Sequence, residues 1–171
     1  KGIAHRDIQP RNILLDADNK IFLSDIGNAS FVPIDEMSMK GSGVFRCVPY
    51  MAPESKKILS KKQYFTADSW SLGIVFLELC SLEKMNITPF IEENEIKELI
   101  KERLQTIEKR YGEDLVHLLG LMLRTSPVER WSPGRIRTLI EEKYDDILAD
   151  KLYSPFDMNN LVEEIKFLKS K

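Results

Sequence analysis

Between Asp68 and Cys80 the chain reads DSWSLGIVFLELC, apolar on nearly every side. A helix without a polar face is normally buried, so the other elements have to wrap around this one, the central post of a domain. Glu92 to Arg110 differs: Ile96, Leu99, Ile100, Leu104 and Ile107 form one stripe and charges fill the rest. That spacing predicts a surface helix with one packed face. Asp114 to Leu123 predicts a further apolar helix, ended near Pro127, and Ile136, Leu139, Ile140 and Ile147 mark another. In the tail, Leu161, Val162, Ile165 and Leu168 recur at helical spacing after Asn159-Asn160, a capping pair. Near the start, the apolar runs Ile13 to Leu15 and Ile21 to Leu23 flank Asp16-Ala17-Asp18-Asn19-Lys20, which is rich in turn formers. This predicts a β-hairpin with Asp25 just past its second strand. From Ile26 to Glu54 neither period persists, and so long a stretch without regular structure is usually functional or disordered. Gly41-Ser42-Gly43 marks its most flexible part. The expected fold is mainly α with a small β-hairpin.

Composition narrows the function. The 171 residues are 43% hydrophobic and 30% charged, the balance of an ordered globular chain. A net charge of −2 leaves no broad basic footprint, which argues against nucleic acid and anionic membrane as partners. The longest apolar run, Leu72 to Leu77, is followed by Glu78 and is far too short for a membrane segment. No signal-peptide pattern opens the sequence. Cys47, Cys80, His5 and His117 show no CxxC or HExxH spacing, so a structural zinc site is not expected. Two lone cysteines fit a reducing, intracellular and cytoplasmic setting.

The chemistry is concentrated at the start. His5-Arg6-Asp7 and Asn12 match H-R-D-x-x-x-x-N, and Asp25-Ile26-Gly27 follows where D-F-G is expected. Ala52-Pro53-Glu54 matches A-P-E. Asp68-Ser69-Trp70-Ser71-Leu72-Gly73 and Ser126-Pro127-Val128-Glu129-Arg130 look like two later landmarks, D-x-W-S-x-G and P-x-x-R. Singly, Asp7 reads as a turn residue, Asn12 as a strand cap and Asp25 as a loop carboxylate. In this order and spacing the chain resembles the C-terminal lobe of a eukaryotic protein kinase, over residues 1–142. Residues 143–171 form a helical tail that the resemblance does not explain.

The resemblance implies an α+β family fold and an enzyme that moves the ATP γ-phosphate onto a protein hydroxyl. Asp7 would accept or orient the hydroxyl proton. Asn12 and Asp25 would hold Mg²⁺, which prefers oxygen ligands and shares them with phosphates. Arg6 would pair with an activation-loop phosphate, with Ser38 and Ser42 as candidate phosphosites. By the same resemblance His5 would have a structural role, Glu54 and Arg130 would form a buried ion pair, and Asp68 would hold the catalytic-loop backbone. The Glu92–Arg110 stripe, read from its spacing, is expected to be core packing, with docking of substrates or regulators as the alternative.

The pattern also departs from the family. Gln9 stands where most Ser/Thr kinases carry a γ-phosphate-binding Lys, and Cys47 where they carry a Thr that bonds the catalytic Asp. Ile26 replaces Phe, keeping an apolar residue. Arg11-Asn12 resembles the tyrosine-kinase ending, whereas Pro10 and Tyr50-Met51 resemble the Ser/Thr group, which is the expected type. The Gly-rich loop, the strand lysine and its partner Glu belong to an N-terminal lobe absent from this sequence. The expectation is therefore that residues 1–171 alone neither bind ATP usefully nor transfer phosphate, and that they expose apolar surface. A pseudokinase or scaffold module, and an inactive truncated fragment, are the alternatives.

Overall fold

The computed structural model describes residues 2–31, 48–56, 60–88 and 91–151. The predicted Ser38, Ser42 and Cys47 features, the Gly41–Gly43 stretch and the Asn159-Asn160 cap with its helix lie outside the described residues.

Four strands and four helices occur among them. Strand β1 (Ile3–Ala4) pairs antiparallel with β4 (Ser30–Phe31), and β2 (Ile13–Leu15) with β3 (Ile21–Leu23). The β2–β3 pair is the predicted hairpin, in the register Ile13 to Leu23 and Leu15 to Ile21. Its turn follows from the side chains present. Asp16 Oδ1 accepts the Asp18 and Lys20 N–H groups at 2.9 Å each, and Asn19 adopts φ 60°, a left-handed conformation that Asn tolerates. The β1–β4 pair was not expected, because two-residue strands carry no period to detect.

Helix α1 (Lys61–Ser81) is the predicted central post, and it begins seven residues earlier than its apolar run. Gln63 Oε1 accepts the Ser60 N–H at 2.6 Å and fixes that start. Trp70, Ile74 and Leu77 have no exposed surface; burying side chains of this size is worth about 1.5–3 kcal/mol each. They meet α2 (Glu93–Tyr111) through Ile96, Ile100 and Ile107, with Leu99 and Leu104 partly buried beside them, so the predicted stripe is the packed face. Glu93 and Glu95 in the first turn of α2, and Lys109 and Arg110 in the last, complement its dipole. Gly112, at φ 85°, turns the chain directly into α3 (Glu113–Met122), which adds Leu119 and Met122 to the core. Helix α4 (Pro133–Lys151) opens on a proline, suited to a first helical position, and its Ile136 closes the core. The helix runs unbroken across residue 142.

Not every apolar residue of α1 is covered. Phe76 and Leu79 are exposed, as are Leu14, Leu15, Ile21, Phe22 and Leu23 of the hairpin.

Candidate active site

The segment from β1 to β2 bears the candidate site, and α1 holds it in place. Asp68 is buried; its Oδ2 accepts the His5 N–H at 2.7 Å and its Oδ1 the Arg6 N–H at 2.8 Å. Bonds to an ionised carboxylate are about twice as strong as neutral ones. They hold Arg6 at φ 68°, an uncommon conformation for a non-glycine residue. The His5 ring spans the gap to the hairpin: Nδ1 receives the Asp7 N–H at 3.3 Å and Nε2 lies 3.0 Å from the Ser24 carbonyl. A neutral imidazole protonated on Nε2 satisfies both, because a carbonyl only accepts and an amide N–H only donates.

Asp7 is buried, and side-chain amides meet both of its carboxylate oxygens. Gln9 Nε2 donates to Oδ1 at 2.7 Å, and Asn12 Nδ2 donates to Oδ2 at 3.1 Å and to the Asp7 carbonyl at 2.7 Å. The Arg11 guanidinium lies 3.8 Å from Oδ2, with its side chain 69% exposed. Asn12 ends a single 3₁₀ turn, Pro10–Asn12, whose proline fixes the first residue. Its carbonyl accepts the Ser24 N–H at 2.8 Å and Oγ–H at 3.1 Å, which sets Asn12 beside the end of β3.

Asp25, the next residue, is exposed and left-handed at φ 60°, ψ 62°. A methyl group on Gly27 would sit 3.4 Å from Asp25 Oδ1, so the carboxylate lies close over that glycine.

Hard oxygen donors of this kind suit Mg²⁺, which takes one or two protein ligands and leaves the rest to phosphates and water. Both Asn12 side-chain bonds use Nδ2, so its Oδ1 stays uncommitted and the residue fits that role. Among the described residues no three His, Cys, Asp or Glu side chains gather as a metal cluster.

The side chains of Arg130, Glu54 and Arg6 have other partners. Arg130 is buried and its guanidinium grips Glu54 with both arms, at 2.5 and 2.9 Å. The Arg6 side chain stacks over the Tyr64 ring at 5.1 Å. Sequence reasoning passed over Tyr64 and Ser24, whose partners are distant in sequence and carry no local signal. It read Gln9 only as a lost charge.

This arrangement is a positioned carboxylate beside an uncommitted amide oxygen and an exposed acid, on a loop fastened to the central helix. Residues 1–144 match the protein kinase domain family, and the chain belongs to that family. It is 32% identical to G protein-coupled receptor kinase 4 of Mus musculus over 76% of this chain and 22% of that protein. It is 35% identical to serine/threonine-protein kinase Nek2 of Mus musculus over 78% of this chain and 29% of that one. With serine/threonine-protein kinase STE20 of Eremothecium gossypii it shares 31% over 88% of this chain and 14% of the relative. The chain thus spans less than a third of the length of each of these relatives.

Proposed function

We propose that residues 1–171 supply the C-terminal-lobe half of a Ser/Thr protein kinase site, complete only together with an ATP-binding N-terminal lobe. The observation that carries this is the buried Asp7 carboxylate, hydrogen-bonded on both oxygens and fastened through the His5 and Arg6 backbone to Asp68. Asp7 orients the protein hydroxyl and takes its proton. Asn12 Oδ1 and Asp25 are the residues that would hold Mg²⁺. Bound Mg²⁺ and ATP supply the transferred group and neutralise its charge. Arg6 and the 26–54 segment form the regulatory part, with phosphorylation at Ser38 or Ser42. Kinship with proteins named as Ser/Thr kinases supports that specificity over tyrosine.

The test is phosphate transfer to a Ser- and Thr-containing protein substrate by the longest native chain that carries this sequence. Asp7→Ala is expected to lower kcat about 10²–10⁴-fold, the usual range for a positioned acid–base group. Equal rates in parent and variant would sink the assignment.

A scaffold reading is favoured by one observation: Gln9 brings no positive charge to Asp7. Its signature would be a parent chain without transferase activity whose partner binding survives Asp7→Ala.

A further inference from the structure

We infer that Gln9 is a positioning residue for Asp7, its side-chain amide fixing one oxygen of the carboxylate. This rests on the reading of Asp7 as the proton-handling group. Gln9 is 3% exposed, and a buried primary amide is costly unless hydrogen-bonded. Its Nε2 donates to Asp7 Oδ1 at 2.7 Å. The orientation is dictated by chemistry, since an ionised carboxylate only accepts and the amide nitrogen must therefore face it.

The effect on Asp7 follows from its torsions. Rotation of a carboxylate about its last bond is broad and roughly twofold. Asn12 alone, bonded to Oδ2 at 3.1 Å, leaves the plate free to swing about that contact. A second donor on the opposite oxygen removes the swing. A misplacement of about 1 Å at a reacting group can cost on the order of 10²-fold in rate, so the second donor matters to kcat.

The support of Gln9 is itself rigid. Its backbone is extended, φ −162° and ψ 162°, and precedes the Pro10 turn. Its carbonyl accepts the Asn12 N–H at 2.9 Å. One residue thus holds Asp7 by its side chain and Asn12 by its main chain. A side-chain substitution leaves the main-chain bond intact and tests the amide alone. Among the described residues the cation paired with Asp7 is Arg11, 3.8 Å away and mostly exposed, so donor and charge sit on two different side chains.

The experiment is a double-mutant cycle on Asp7 and Gln9, read as kcat and KM for ATP in the longest native chain carrying this sequence. Gln9→Met keeps the length of the side chain and removes the donor. It is expected to lower kcat about 10- to 100-fold, with KM for ATP within about twofold of the parent. Gln9→Lys restores an N–H donor and returns kcat to the parental value or above. In an Asp7→Ala background Gln9→Met has no further effect, because a residue acting through Asp7 has nothing left to act on. Should thermal melting show Gln9→Met unfolded, Gln9→Leu, apolar and lacking the donor, takes its place. A parental kcat in Gln9→Met, or the same fractional loss in both backgrounds, overturns the inference while Asp7 stands. An inactive parent, or one that Asp7→Ala does not impair, overturns the reading of Asp7 and this inference together.

Discussion

The Arg130 guanidinium is held on every side: by Glu54, by the carbonyls of Arg124, Thr66 and Thr125 at 2.7, 3.2 and 3.1 Å, and by the Trp70 ring at 4.9 Å. Removing one partner of a buried pair strands the other, at a typical cost of about 3–5 kcal/mol. Arg130→Ala is expected to lose that much in urea unfolding, and an unchanged midpoint would refute the role. Arg130→Lys should recover little, since an ammonium cannot reproduce the two-armed grip. Cys80 behaves differently. Burial pushes its thiol up, and Arg110 only partly offsets this. The folded chain therefore holds the proton more tightly than the unfolded one. Stability contributed by Cys80 is complete below the ordinary thiol range and falls as pH rises through it. Iodoacetamide at pH 7.5 should accordingly modify Cys80 more slowly than a free cysteine, because the thiolate is the nucleophile. At this scale the sequence was legible where motifs name partners, as for Glu54 with Arg130 and Asp68 with the loop backbone. It was opaque where a substitution keeps one property and drops another, as Gln9 does.

Helix α1 shows what periodicity can and cannot reveal. Its apolar run announced a central helix, but the polar first turn, Lys61-Lys62-Gln63, concealed where it starts. The usable signal was Ser60 followed three residues later by Gln63. Gly73 marks where α1 comes closest to the end of α3. A Cβ there would lie 2.9 Å from Leu123 Cδ2 and 3.1 Å from Met122 Cβ. The Leu tip can turn aside, but Met122 Cβ moves only with its backbone. Gly73→Val is expected to cost about 1–3 kcal/mol, more than the few tenths by which valine exceeds glycine in helix propensity. Thermal unfolding would measure it, and a stabilised variant would disprove the close packing. The two short strands β1 and β4 were illegible for another reason: their partner lies nearly 30 residues away, and nothing local records it.

At the scale of the whole molecule, exposed large apolar side chains among the described residues include five on the hairpin and two on α1. Ile21 is 73% exposed, and Leu14, Phe22 and Leu79 are each half exposed or more. Exposed apolar side chains in such number favour association. The 171-residue chain is expected to bind a hydrophobic dye and to self-associate on size exclusion. Ile21→Lys with Phe22→Ser should reduce both while shifting stability by only about 0.5 kcal/mol, as exposed substitutions usually do. A doubly substituted chain with undiminished association would place the sticky surface elsewhere. The mainly helical plan and the hairpin were readable because each rests on local spacing. The Asp7 clamp was not, because it depends on which amide a buried carboxylate meets after folding. Finally, the loop carrying Asp7 is fastened less by chain continuity than by Asp68, which reaches it from 63 residues away, by the His5 bridge to Ser24 and by two strand pairings. A protease nick in the Asp16–Lys20 turn should therefore leave two complementing fragments that stay associated, with the geometry around Asp7 surviving the severed backbone.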